Sequence, residues 1–312
     1  MAIMKAVRIH QFGGPEVMQI EELPVPQFGG DEILLRVRAA SVNPVDFKTR
    51  QGHFPPVGRE QLPLTLGRDV SGVVEGVGSR VRGFRRGDEI YAMLGPDRGA
   101  FAEYALVKMG EGAPKPARLS HVEAATVPLA ALTAWQGLLD HGLLTEGQRV
   151  LIHGGAGGVG HFAIQFAKVK GATVFTTVSD RDLDFARELG ADRAIDYRNE
   201  RFEDVARDID VVFDLVGGET QDRSWSVLKP GGIIVSTLGQ PSQEKAAQHK
   251  VRAAGYMARP NAAQLAEIGR LIDDDKVHPV IAETFPLTEA RAAEERQEHG
   301  HVHGKIALSL AA

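Results

Sequence analysis

Residues Arg149–Val178, RVLIHGGAGGVGHFAIQFAKVKGATVFTTV, constrain this chain most, because they read as a strand, a glycine turn, a helix and a second strand. Arg149–His153 is a short apolar run. Gly155, Gly157 and Gly160 then fall at G-x-G-x-x-G spacing, and Phe162, Ala163, Phe166, Ala167 and Val169 follow with helical period. In that frame the first glycine permits a tight turn, the second lets the backbone approach a pyrophosphate, and the third lets the helix pack closely on the strand. The helix start offers unpaired N–H groups to the anion. Glycines at this spacing recur by chance; a strand before and a helix after, within about 30 residues, make the spacing predict a dinucleotide site. Gly155, Ala156, Gly157, Gly158, Val159 and Gly160 would form it.

The 312 residues exceed one ordinary core, and a chain of this length buries roughly three quarters of its unfolded surface. A formal net charge of -5 gives no reason to expect nucleic acid or an anionic membrane as partner. No apolar run approaches the roughly 18 residues of a membrane span, and MAIMKAVRIHQF lacks a contiguous signal-peptide core, so the sequence reads as cytoplasmic. With no cysteine, disulfides, thiol nucleophiles and Cys-ligated zinc are excluded.

Order matters as much as identity. Before the glycine turn come short apolar runs, Ile33–Val37, Val70–Val77, Glu89–Ala92 and Phe101–Val107, punctuated by Gly67, Gly72, Gly76, Gly78, Gly83 and Gly87 at intervals suited to the turns and bulges of a compact barrel. From Val122 helices and strands alternate: a helix near Ala130–Leu139, the nucleotide unit, a helix near Leu183–Leu189, then strands at Ala194–Asp196, Val211–Val216 and Ile233–Thr237. Such alternation predicts a parallel, doubly wound sheet. A helix over Ala263–Asp273 and a final strand over Lys305–Leu310 follow, the latter too far along to belong to the nucleotide unit.

Over nearly its whole length the chain resembles the medium-chain dehydrogenase/reductase superfamily, within it the zinc-independent quinone oxidoreductase branch. The resemblance is carried, in order, by Asn43-Pro44-Val45-Asp46, Leu66-Gly67-Arg68-Asp69-Val70-Ser71-Gly72-Val73-Val74, Gly87-Asp88-Glu89-Ile90 and Ala100-Phe101-Ala102-Glu103-Tyr104. It continues through Leu132-Thr133-Ala134-Trp135, the glycine turn, Leu228-Lys229-Pro230-Gly231-Gly232 and Gly304-Lys305-Ile306. It implies an α/β protein: a GroES-like β-barrel catalytic domain from residues 1–121 and 260–312, with a Rossmann domain inserted at 122–259 and the active site in the cleft. It also implies a homodimer, often formed by joining Rossmann sheets edge to edge.

The zinc-dependent cousins need three protein ligands and an open position. Here Asn43 takes the place of the first cysteine ligand and Arg68, a cation, that of the histidine. His299, His301 and His303 alternate, so on a strand they would share a face and could bind a metal; the competing reading is a solvated loop leading into the last strand. Tyr104 and Lys108 match the Y-x-x-x-K spacing of short-chain dehydrogenases, but that pair works on a helix, and here the segment reads as a strand.

Chemistry then reduces to hydride transfer from a nicotinamide, for which the protein places and polarises the acceptor. Asn43 can donate its amide to a substrate carbonyl or to the nicotinamide ribose, and Asp46 can orient it, or both can serve the turn before Pro44. Lys48 is the sharper catalytic candidate, since an ammonium near the carbonyl of an enone or quinone stabilises the developing oxyanion; a solvated lysine is the alternative. Phe54 stands where many relatives carry a tyrosine, so an aromatic wall replaces a phenolic hydrogen bond, and Tyr256 lies in the second loop, Gly255–Pro260, expected to line the substrate pocket. Pro128 and Thr133 resemble the segment lining the nicotinamide, or serve only a helix start.

The second strand of the nucleotide unit, Thr173–Val178, ends in Ser179 instead of the carboxylate typical of NAD-selective sites. Ser179 can donate to a 2′-phosphate and Arg181 can pair with it, which predicts NADPH; Asp180 would select NADH if turned inward, or else cap the helix near Leu183. Tyr197 looks like the residue packing near the adenosine end in relatives, and Val216 and Leu238 complete the expected cofactor-binding set. Lys168 and Lys170, at the helix C-terminus, are weaker phosphate candidates. Two function classes remain open: an NADPH-dependent reductase of quinones or α,β-unsaturated carbonyls, and an NADPH-binding redox sensor or crystallin-like protein with incidental activity.

Overall fold

A computed structural model describes residues 2–310. The chain divides into two compact units, one running to Ala130 and including Pro260–Asp275 and the stretch from Pro279 on, the other Ala131–Arg259 with Lys276–His278. The first unit extends past residue 121, the limit expected from sequence, because the His121–Ala125 helix packs on the barrel: His121 Nδ1 lies 2.8 Å from Ser71 Oγ.

The first unit is organised by the long strand Glu32–Val42, whose nearly unbroken burial reflects a position inside the sheet. It is antiparallel to Asp69–Val77, Tyr104–Lys108 and the final strand Lys305–Ser309. Register shifts at Leu34/Leu35 and Val37/Ala39 bend it as bulges do. Ile33, Leu35, Val37, Ala40 and Val42 share one apolar cluster with Val70, Val74, Ile90, Ile306 and Leu308, so residues from both ends of the chain fill a single core. The run Phe101–Val107, expected as one strand, becomes strand only from Tyr104. Its first residues turn toward a different sheet, where Ala102 bridges Ala6 and Phe101 N donates to Leu66 O. Tyr104 pairs with Arg36 on a strand, so Tyr104 and Lys108 never acquire helical spacing. The Ala262–Asp273 helix joins this unit through Tyr91, whose hydroxyl donates to Leu265 O at 2.6 Å.

The second unit holds six strands, all parallel, in the order Arg193–Asp196, Thr173–Val178, Arg149–His153, Ile209–Asp214, Leu228–Ser236, Arg252–Gly255. Numbered from Arg149–His153, this is the order 3-2-1-4-5-6 of a Rossmann sheet. The helix expected over Ala130–Leu139 is α-helical over Pro128–Trp135 and continues as a π-helical turn, Gln136–His141.

The glycine turn differs from expectation in one respect. The left-handed residue is Gly154, with φ 78°, one position ahead of the fingerprint. Gly155 is needed for a different reason: a Cβ there would sit 2.1 Å from Thr176 Oγ1 on the neighbouring strand. Gly160 has the role assigned to it, since its Cβ would fall 2.2 Å from Gly154 O.

Candidate active site

In the first unit, the Asp69–Val77 strand and the final strand flank Glu32–Val42, and the helix Pro44–Arg50 begins where that strand ends. Register places Asp69 opposite Ser41 and Ile306 opposite Val42, which brings Ser41, Asn43, Asp69 and Lys305 together, all buried. Lys305 donates to Asn43 Oδ1 and, at 3.1 Å, to Val42 O, and lies 3.8 Å from Asp69 Oδ2. Asn43 Nδ2 donates to Asp69 Oδ2 at 2.9 Å and to Ser41 O at 3.4 Å, while Ser41 Oγ donates to Asp69 Oδ2 at 2.8 Å. The Leu129 amide takes the other carboxylate oxygen at 2.7 Å. Burial pushes the Asp69 carboxyl up, and Lys305 with these donors pulls it back; burial likewise pulls the Lys305 ammonium down.

This network corrects the expectation for Asn43. Its carboxamide is spent, acceptor on Lys305 and donors on Asp69 and Ser41, so in this arrangement it has nothing left for a substrate carbonyl. Asp46 belongs to the turn: its Oδ2 accepts the Asn43 amide at 2.7 Å, capping the helix that Pro44 opens. Burial, reinforced by the fields of Glu294 and Asp69, holds the Asp46 carboxyl well above the usual range. Lys48 falls on the other side of this helix, exposed, its ammonium bonded to no group among the described residues. Phe54 is buried, with the Arg68 guanidinium 5.7 Å from its ring centre, and both line a small cavity with Asp46. Asp69 and Lys305 were absent from the sequence-derived site and Arg68 entered only as the replacement of a zinc ligand; the signal for all three lay in the Leu66–Val74 and Gly304–Ile306 motifs.

His299 ends a helix and His301 and His303 lie in the following loop, so the three never share a strand face. Among the described residues no cluster of His, Cys, Asp or Glu is arranged to hold a metal ion.

In the second unit the helix Gly160–Val169 starts without a side-chain cap, and the amides of Gly158 and Val159 donate to no group among the described residues. A Cβ on Gly157 would have no neighbour nearer than 3.5 Å, so this face of the turn is open to a ligand. Around it, at the carboxyl ends of successive strands, stand three side chains that are half exposed despite their apolar surface: Tyr197, Val216 and Leu238. Buried Asp214 shapes the loop carrying Val216, accepting from the amides of Val216 and Gly217 and from Gln221 and Ser236. Ser179 is buried and its hydroxyl donates to Asp182. Asp182, and not Asp180, is the residue preceding the Leu183–Glu188 helix. Asp180 instead faces Arg198, at 3.8 Å, whose guanidinium also lies over the Tyr197 ring at 5.6 Å; Arg198 is a basic group the sequence reading missed. Arg181 is exposed beside Asp182 at 3.9 Å, and Lys168 is engaged by Asp192 at 2.9 Å. Tyr256 donates its hydroxyl to Thr133 O and lies against His141 at a 31° tilt, ring centres 4.6 Å apart, so it offers a candidate substrate no free phenol.

Residues 29–117 match the family model described as the alcohol dehydrogenase GroES-like domain, and residues 189–308 the one described as zinc-binding dehydrogenase. An NADPH-dependent alkenal/one oxidoreductase, chloroplastic, of Arabidopsis thaliana is 37% identical over 317 residues, covering 98% of this chain and 79% of its own. Among solved structures, the quinone oxidoreductase from Coxiella burnetii gives a TM-score of 0.91 at 39% identity, covering 99% of this chain and 100% of its own. Escherichia coli quinone oxidoreductase complexed with NADPH gives 0.87 at 27%, covering 98% and 99%. The chain belongs to the medium-chain dehydrogenase/reductase superfamily, in its quinone oxidoreductase family.

The helix carrying Asn43, Asp46 and Lys48 ends in Arg50, which is fully buried and binds the Ala290–Glu298 helix. Arg50 Nε donates to Glu294 Oε2 at 2.8 Å, Nη2 to Glu298 Oε2 at 2.7 Å and Nη1 to Gly13 O at 2.9 Å. The second oxygen of Glu294 is buried without a partner, as a protonated carboxyl tolerates better than a carboxylate. Burial pushes Glu294 up to about 7, against the pull of Arg50. An acid whose pKa is raised on folding holds a proton in the native state that the unfolded chain has lost. Its stabilising contribution is therefore complete below about 4.5 and disappears as pH rises through about 7. We predict that Glu294→Gln, neutral at every pH, flattens the decline of unfolding free energy between those limits by on the order of 1 to 3 kcal/mol. Parallel pH profiles of wild type and variant in urea titrations would show that Glu294 is ionised throughout.

Proposed function

We propose that this protein is an NADPH-dependent oxidoreductase that passes hydride to a quinone or an α,β-unsaturated carbonyl. The observation that carries the proposal is the open glycine turn with unpartnered Gly158 and Val159 amides, bordered by Tyr197, Val216 and Leu238 at the carboxyl ends of a Rossmann-ordered sheet. That is the edge on which such sheets bind dinucleotides. The names of the Arabidopsis and Escherichia coli relatives support the same cofactor and acceptor classes. Bound nicotinamide supplies the hydride. Gly155, Ala156, Gly157, Gly158, Val159 and Gly160 cradle the pyrophosphate, with Pro128 and Thr133 assigned to the nicotinamide end. Asn43, Asp46, Asp69 and Lys305 act as positioning residues, holding the start of the helix from which Lys48 projects. Lys48, uncommitted, is the group assigned to the developing oxyanion, and solvent supplies the final proton. We take the reaction to be zinc-independent, since Arg68 is a cation bonded through Nε to Leu94 O at 2.6 Å and the Asn43 carboxamide is already engaged.

The test is a panel of quinones and enones with NADPH, before and after dialysis against a strong chelator. Turnover unaltered by the chelator is expected; no turnover with any acceptor would favour a cofactor-binding sensor, and a loss restored only by zinc would reject metal independence. Lys48→Met should lower turnover tenfold to a hundredfold, about 1.4 to 2.7 kcal/mol in transition-state energy, with NADPH binding nearly unchanged. Equal turnover would return Lys48 to a solvated surface role.

No helix among the described residues is long and apolar enough to cross a membrane. We place the protein in the cytoplasm and propose a homodimer. The edge strand Arg252–Gly255 already has Ala253 O and Gly255 N satisfied by Gln240 and Gln243 side chains, so edge-to-edge pairing would have to displace them. Sedimentation velocity distinguishes a dimer from a monomer.

Arg181 and Arg198 are the basic groups assigned to the 2′-phosphate, with Tyr197 beside them; the Ser179 hydroxyl must leave Asp182 to join them. The ratio of kcat/KM for NADPH over NADH should exceed one and fall by about tenfold in Arg181→Ala and in Arg198→Ala, the loss typical of a charge-assisted contact. A wild-type preference for NADH would assign the selecting role to Asp180.

A further inference from the structure

The first unit holds a small open cavity with about 10 Å³ of enclosed space, lined among others by Asp46, Phe54, Leu66, Arg68 and Arg98. Its two guanidiniums differ in their commitments. Arg98 is fully engaged, with Asp97, Glu111 and Leu106 O as acceptors. Arg68 makes one side-chain hydrogen bond, Nε to Leu94 O at 2.6 Å, and Leu94 N returns a bond of 2.7 Å to Arg68 O, which fixes the residue in place. No carboxylate among the described residues lies within ion-pair distance of Arg68, and its two terminal nitrogens donate to none of them. Nor is either among the polar atoms sealed from solvent without a partner, although the residue is only 8% exposed. Removing a guanidinium from water without an acceptor for its fork is expensive, and a cation held this way at a cavity wall beside an aromatic face is a receptor for a planar anion.

We propose that Arg68 is an acceptor-specificity residue: it binds a carboxylate carried by the substrate, so that the protein favours enones or quinones bearing an acidic group. This rests on the reductase reading above and names the acceptor's chemical class. The Phe54 ring is buried in the apolar core with Arg68 over it, and the enclosed space of about 10 Å³ admits one water-sized group, such as a carboxylate oxygen at the cavity mouth, and not a whole quinone. The neighbouring Asp46 does not oppose an anion as an ionised carboxylate would, because burial favours its neutral form.

A matched pair tests the proposal: trans-4-oxo-2-pentenoate and its methyl ester, the same enone with and without the anion. In each, NADPH gives hydride and solvent a proton to the C=C bond, leaving NADP⁺ and the saturated ketone. Wild type should show a kcat/KM ratio of acid to ester of at least tenfold; Arg68→Met should bring it near one, and Arg68→Lys should retain part of it. Calorimetry of the NADP⁺-loaded full chain with the unreactive product 4-oxopentanoate and its methyl ester reads the same preference without turnover, and in wild type does not depend on any variant folding. Equal binding of acid and ester by wild type, or a preference surviving in folded Arg68→Met, overturns the proposal. Selective binding of 4-oxopentanoate with neither enone reduced would uphold the anion site and reject the reductase reading instead.

Discussion

The Lys305 ammonium is the interaction on which the first unit's site depends. It arrives from the end of the chain, is buried, and touches Val42 O, Asn43 Oδ1 and, less closely, Asp69. One charge thereby fixes three strands at the point where a helix leaves one of them. Such a group cannot be removed alone without leaving Asp69 buried and uncompensated, a loss on the order of 3 to 5 kcal/mol. The three donors on Asp69 explain why the pair is tolerated, since each carboxylate oxygen already has at least one fixed N–H or O–H. Position, more than attraction, is what it provides: the orientation of Asn43 decides where the helix starts and so where Lys48 emerges.

The second unit solves its problem by leaving space empty. Gly155 and Gly160 exist because a methyl at either would collide with Thr176 Oγ1 or Gly154 O, whereas Gly157 lacks a side chain on the side facing out. The close approach pulls the helix onto the strand and the open side keeps two amides available. Asp214 does the complementary work on the next loop, tying down two backbone amides so that Val216 can remain exposed.

Much of this was legible in the chain. The strand, turn and helix around Gly155 have local causes: an apolar run, glycine spacing and helical period, all within reach of a short window. The final strand was correctly separated from the nucleotide unit by distance alone. What escaped was determined by long-range register. Nothing near Asn43 announces that its carboxamide will meet a lysine from Gly304-Lys305-Ile306, and nothing near Phe101 announces that its strand will begin three residues late because Ala102 bridges Ala6. Asp180 was read as a possible cap of the helix near Leu183, but the short 3₁₀ turn Asp180–Asp182 intervenes and sets it ahead of the helix start. Asp69 was read as family signature, not chemistry, because its partners Ser41, Asn43 and Leu129 lie far along the chain.

The buried charges of the first unit must also be consistent with one another. Arg50, Arg68 and Lys305 are cations; Asp46, Asp69, Glu111 and Glu294 are acids buried among them, and Glu298 faces Arg50 from the surface. Asp69 has donors enough to stay ionised, whereas Asp46 accepts from one backbone amide and Glu294 leaves an oxygen orphaned, so burial drives both toward the neutral acid. Buried Glu111 and the Arg98 guanidinium stand beside them, with Asp97 also accepting from Arg98. Arg50 faces Glu294 and Glu298, Arg98 faces Asp97 and Glu111, and Lys305 faces Asp69, so among the described residues Arg68 is the cation of this group without an ion pair. A guanidinium left without an ion pair at the cavity wall favours an acceptor that gains electron density as hydride arrives.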